Sequence, residues 1–141
     1  MLRVVDLEDY HPLKWVRHYG NIYKKLKDAC SYYYPLRWAT DDGDTEVVRL
    51  LLDRGANVHV QDDESLRWAA EYGHTETVRL LLDRGADVHI CSDNALSWAA
   101  YGGHTETVRL LLDRGADVHT CSDNALRKAT QEGHTEVVCI L

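Results

Sequence analysis

One 30-residue block is written again and again in this chain, and its period limits the folds available. Gly43 opens G-D-T-E-V-V-R-L-L-L-D-R-G-A-N-V-H. Gly73 and Gly103 each open G-H-T-E-T-V-R-L-L-L-D-R-G-A-D-V-H, and Gly133 starts a fourth copy that runs to Leu141. A fixed period of this size predicts a row of identical small units, each leaning on the next, rather than one closed globule. Residues that recur with the unit are then structural by default. A catalytic set normally occurs once and breaks the repeat.

The copy from Asp93 to Thr120 shows how a unit is built. Asp93 and Asn94 are helix N-cap types. Ala95 to Tyr101 predicts a short helix, with Leu96, Ala99 and Ala100 on one face and small residues that admit a close neighbour. Gly102 and Gly103 break it. A second helix is expected from about Thr105 to Arg114. His104, Thr107, Val108, Leu111 and Leu112 fall at i, i+3, i+4, i+7 and i+8, one apolar stripe. Glu106 and Arg109 face outward with pairing distance between them. Gly115 sits where a left-handed C-cap belongs. Two helices this short cannot bury their own stripes. Stacking on the adjacent copy removes that surface from water.

These residues resemble ankyrin repeats. The family's T-P-L-H-x-A-A opening is matched by Tyr34-Pro35-Leu36-Arg37-Trp38-Ala39-Thr40 and by Glu64-Ser65-Leu66-Arg67-Trp68-Ala69-Ala70. It recurs as Asn94-Ala95-Leu96-Ser97-Trp98-Ala99-Ala100 and, more weakly, as Asn124-Ala125-Leu126-Arg127-Lys128-Ala129-Thr130. The family's G-H-x-E-V-V-x-x-L-L-x-x-G-A-D-V-N follows, with His in place of the last Asn. The resemblance implies an all-α, ankyrin-like α-solenoid of stacked helix-turn-helix units. Its expected divisions are a degenerate capping unit over 1–32, full units at 33–62, 63–92 and 93–122, and a truncated unit at 123–141. The first unit rests on His11-Pro12-Leu13-Lys14-Trp15 followed by Gly20. The period is shorter than the family norm of about 33. The deficit falls in the loop before Leu96, which lacks Gly, so the fingers are expected to be short or absent. Thirty-residue units with A-L-R-W-A-A also resemble the expanded ankyrin families of giant DNA viruses of amoebae.

Composition narrows the function classes. The net charge is −7, with Lys and Arg in excess only over residues 1–30, where six face four Asp and Glu. Residues 31–141 carry ten basic against nineteen acidic side chains. An acidic array repels phosphate, which argues against nucleic acid as a ligand. Lys24, Lys25 and Lys27 read as a solvated helix face. No apolar run is long enough to span a membrane. Asp6, Glu8 and Asp9 near the start argue against a secretory signal. An intracellular protein with reduced thiols is the expectation, placed in the host cytoplasm by the viral resemblance.

No catalytic, cofactor or metal motif stands out, and none is expected. There is no G-x-S-x-G, no Walker loop, no dinucleotide turn and no C-x-x-C. Two rows of histidines, His59, His89, His119 and His74, His104, His134, recur with the unit. Adjacent units are spaced by about 8–10 Å, whereas zinc ligands close to about 2.0–2.1 Å. Both rows therefore read as hydrogen bonds between turns. Cys91 and Cys121 are too far apart for a disulfide. Cys30 and Cys139 also read as free thiols.

Trp15, Trp38, Trp68 and Trp98 form a second row, which ends at Lys128. Such a row fills the groove between units or forms a partly exposed aromatic ladder. Aromatics and arginines are strong binding anchors. The resemblance places partner contacts on the inner helices, so the candidate contact residues are Arg37, Arg67, Trp68, Ser97, Trp98, Tyr101 and Arg127. The function implied is non-catalytic protein binding by a monomer, with a host protein as partner. Two other readings stay open: a decayed relic with no specific partner, and an adaptor for a host ubiquitin ligase.

Overall fold

A computed structural model of the chain describes residues 33–141 apart from Val60. The expected first unit, with Trp15, Cys30 and the Lys24–Lys27 cluster, lies outside the described residues, as do the side chains of Cys91 and Asp93. Eight helices make up the described structure, and no strand forms among the described residues. They are α1 (Tyr33–Asp41), α2 (Thr45–Asp53), α3 (Glu64–Glu71), α4 (Thr75–Asp83), α5 (Ile90–Gly102), α6 (Thr105–Asp113), α7 (Thr120–Glu132) and α8 (Thr135–Ile140). Odd helices pack on odd, even on even, and each pair closes its own hairpin. Two layers of helices therefore run along the stack, an α-solenoid as the period predicts.

The second helices form because T-E-T-V-R-L-L-L-D is apolar along one side and ends in a glycine at left-handed φ. At α4, Gly85 has φ +96°, and Ala86 N–H reaches back to the Leu81 carbonyl at 3.0 Å. That six-residue closure ends the helix without stranding its last carbonyls. Val78, Leu81, Val108 and Leu111 are sealed in the core. Leu112 is only half-buried, whereas Leu110 is 7% exposed. The buried arc is thus wider than the single stripe expected from spacing. Each second helix packs on its own first helix and also on a neighbouring second helix, which brings a further row of leucines inside.

The first helices bury Leu36, Leu66 and Leu96, with Ala39, Ala69, Ala99 and Ala129 at zero exposure. Alanine there lets neighbouring hairpins approach closely. α5 begins earlier than the expected start near Ala95. In α7 the first turn is broken, because Cys121, Ser122 and Asp123 have φ of 50°, 58° and 56°. Gln61, Asp62 and Asp63 adopt the same left-handed turn ahead of α3. A run of three left-handed residues without glycine is strained. It substitutes for the longer finger of the 33-residue norm.

The histidines at the hairpin turns hold the stack together. Asp44 caps α2 in the ordinary way, accepting the Val47 N–H at 3.2 Å. His74, His104 and His134 occupy the same cap position but make no side-chain cap bond. They reach instead into the preceding hairpin. Their Nε2 atoms donate to the carbonyls of Asp41, Glu71 and Tyr101 at 2.9, 2.8 and 2.9 Å. A carbonyl can only accept, so Nε2 carries the proton. The expectation for this row holds. The other row bonds within its own loop: His59 Nδ1 lies 2.9 Å from Asp63, and His119 Nδ1 2.8 Å from Asp123.

Two further ladders cross the hairpin boundaries. The hydroxyls of Thr45 and Thr77 meet at 2.8 Å, and those of Thr75 and Thr107 repeat the contact one hairpin on. Arg84 pairs with Asp53 at 2.8 Å, and Arg114 with Asp83 at 2.9 Å. These ion pairs are partly exposed, so each contributes about 0.2–1 kcal/mol.

Candidate functional site: the face of the first helices

α1, α3, α5 and α7 present one row of side chains away from the second helices, and indoles alternate there with cations. The Arg37 guanidinium lies 4.9 Å from the centre of the Trp68 ring, and the Arg67 guanidinium 4.4 Å. Arg67 also lies 5.9 Å from Trp98. On the far side of Trp98 sits the Lys128 ammonium, 3.8 Å from the ring centre. A cation against an aromatic face contributes about 0.5–1 kcal/mol where exposed and about 2 when desolvated. The unit spacing causes this arrangement. Position 37 of one unit is the neighbour in sequence of position 38, and the next unit's indole stands beside it.

The tryptophans therefore fit the partly exposed ladder rather than side chains sealed between units. Trp38, Trp68 and Trp98 are half-buried, neither sealed in a groove nor bare. Lys128 does not simply mark the end of the row; its charge takes up one face of Trp98. Beyond the indoles, Tyr72 stacks on Trp68 at 6.0 Å, and Tyr101 meets Trp98 edge-on at 5.7 Å. Tyr72 and Tyr101 are 49% and 43% exposed, the exposed large hydrophobics among the described residues.

The candidate contact residues divide by burial. Arg37, Arg67, Trp68 and Trp98 are half-buried, and Tyr101 and Arg127 are exposed. Arg67 is held by Glu64 at 2.9 Å, and Arg127 by Asn124 at 3.1 Å. Ser97 is only 3% exposed. Its hydroxyl accepts from Asn124 Nδ2 at 3.2 Å, so it supports α7 from beneath and offers no surface of its own. Sequence reasoning placed it outside because its neighbours in the row are arginines. A short side chain there lets α7 settle over it.

Four buried polar atoms on this face have no hydrogen-bond partner among the described residues: Arg37 Nε, Asp41 Oδ1, Trp68 Nε1 and Glu71 Oε2. Burial pushes the Asp41 carboxyl above its ordinary value. Arg37 offsets part of that, and the charges of Asp42, Glu71 and Glu64 add to it. Burial likewise pushes the Lys128 amine down, against the pull of Glu71. Sequence reasoning named Lys128 only as the end of the tryptophan row and did not single out Asp41 or Glu71. For Lys128 the available signal was its place in the repeat, where tryptophan stands in the other copies.

Among the described residues no group of three or more His, Cys, Asp or Glu side chains is placed to hold a metal ion. Cys121 and Cys139 are exposed free thiols. No helix of the described residues is long and apolar enough to cross a membrane.

A family model described as "Ankyrin repeats (3 copies)" matches residues 9–92 and 66–141. No curated protein matches the chain. Ankyrin repeats are in general protein–protein interaction modules on a non-catalytic fold. The family match and the stacked helical hairpins agree, and the chain belongs to the ankyrin-repeat family.

Proposed function

We propose that this protein is a non-catalytic binding module that captures a partner protein on the face of its first helices. The observation that carries the reading is the row Arg37, Trp68, Arg67, Trp98, with Tyr101 and Arg127 exposed beside it. Arginine and aromatic anchors dominate binding energy at interfaces. Here they are stacked on one another before any partner arrives, so little side-chain freedom is lost on contact. Ser97 is left out of the surface and kept as its support. The unit boundaries at residues 33, 63, 93 and 123 suit this reading, since each places one inner helix per step along the face. The resemblance to viral ankyrin families extends it to a host protein as partner, met by a monomer in the host cytoplasm.

The test is affinity capture with the full chain and mass spectrometry, run beside Arg127→Ala and an Arg67→Ala/Tyr101→Ala double variant. Weaker recovery of the same protein by both variants, with helix content retained, is the expected result. Equal recovery by all three chains would remove the surface assignment. The relic reading is separated by melting. A cooperative transition fits a working module, and a gradual low-temperature loss of helix fits a relic.

A further inference from the structure

We propose that the corner between Trp98 and Tyr101 is a seat for the side-chain ammonium of a lysine on the partner protein, closed in the free protein by Lys128. The two rings meet at 80° with their centres 5.7 Å apart, and the Lys128 ammonium lies over both of them. Lys128 already shows that a primary ammonium on a four-carbon stem fits: its Nζ is 3.8 Å from Trp98 and 5.7 Å from Tyr101. The Glu71 carboxylate acts on that ammonium, and Glu71 Oε2 is buried without a partner among the described residues. Two aromatic rings with a carboxylate charge acting on the same space favour a compact cation.

Lys128 fills the seat without being well held in it. Its ammonium lies over the two rings, with no hydrogen bond or ion pair among the described residues. Burial strips water from it, and the neighbouring Arg127 charge opposes it, which is why its amine is pushed down. The side chain is half-buried and keeps part of its surface in solvent. Tyr101, at 43% exposure, marks the way in.

This inference rests on the protein-binding reading, but the seat can be tested without a partner. The full chain, labelled with 5-fluorotryptophan, is titrated with n-butylammonium chloride and, separately, with n-butanol. The Trp98 signal is the fluorine resonance lost in Trp98→Phe. In Lys128→Ala the resonance should move saturably with the ammonium and not with the alcohol. The native chain should need about five- to tenfold more ammonium, because its own lysine competes. Lys128→Met, which fills the seat with an uncharged chain, should respond weakly. Equal responses to ammonium and alcohol, or identical titrations of native and Lys128→Ala chains, would overturn the proposal. If the seat titrates as expected while affinity capture recovers no partner, the seat stands and the protein-binding reading fails. If a partner is captured equally well by the native chain and by Trp98→Phe, the reading stands and the seat's role in it fails.

Discussion

His104 donates from Nε2 to the main-chain oxygen of Glu71 at 2.8 Å, and its ring lies directly over Gly73. One side chain thus closes the turn of one hairpin and ties it to the hairpin before. A helix cap is given up in exchange. An absent cap costs about 0.5–2 kcal/mol, and a net hydrogen bond returns about 0.5–1.5 kcal/mol. The exchange is nearly neutral for one hairpin but links two.

Gly73→Ala and Gly133→Ala separate these effects. Both glycines have left-handed φ, +73° and +76°. A Cβ on Gly73 would clash with His104 Nδ1, while one on Gly133 meets nothing within 4 Å. Gly133→Ala is expected to cost about 1–2 kcal/mol from the backbone alone. Gly73→Ala should cost about 1 kcal/mol more, as the His104 hydrogen bond is lost. Urea denaturation of both variants measures the difference, and equal costs would deny the histidine its linking role.

Asp63 and Asp123 are the same loop position two hairpins apart, Asp123 belonging to the last described pair. The Asp63 side chain has no exposure, and its second oxygen accepts the Asp87 N–H of the next loop at 2.8 Å. The Asp123 side chain is 51% exposed. Asp63→Ala should destabilise by about 1–3 kcal/mol, because a partly buried N–H is orphaned. Asp123→Ala should stay within about 0.5 kcal/mol. Denaturant midpoints compare them directly.

The Asp41 carboxyl is raised above 3.8, chiefly by burial. The protonated form is therefore favoured in the fold. Its contribution to stability is full below pH 3.8 and is lost as pH rises through the folded value. At neutral pH the carboxylate opposes folding, so Asp41→Asn should stabilise at pH 7. The gain should stay below about 1 kcal/mol, since the group is partly screened by solvent. The gain should vanish at pH 3. A destabilised variant at pH 7 would mean that the Arg37 attraction outweighs burial.

The His119 imidazole is raised above 6.5 by its hydrogen bond to Asp123 and then by that residue's charge. Its proton NMR titration should have a midpoint above 6.5, and Asp123→Asn should lower it. Whatever this pair adds to stability is present below the ordinary histidine value and lost as pH rises through the folded one. An unchanged midpoint in Asp123→Asn would break the assignment.

The 30-residue repeat determined the helical hairpin and its stacking on the next copy, and its motif residues pointed to the family, because each unit's pattern is local and is repeated in every copy. Leu66, Ala69 and Val78 could be read as core from their spacing, and they are. Gly85 could be read as a helix stop, and its φ is +96°. Only the tertiary structure decided which identical positions differ. Ser97 lies beneath α7 although its counterparts are surface arginines, and Leu110 is inside although the stripe left it out. Trp68 and Trp98 are covered by cations from neighbouring hairpins, and Asp63 is buried while Asp123 is not. The reason is physical. Local pattern sets which way a side chain leaves its helix, but burial and pairing depend on what the adjacent hairpin brings from about 30 residues away in the chain.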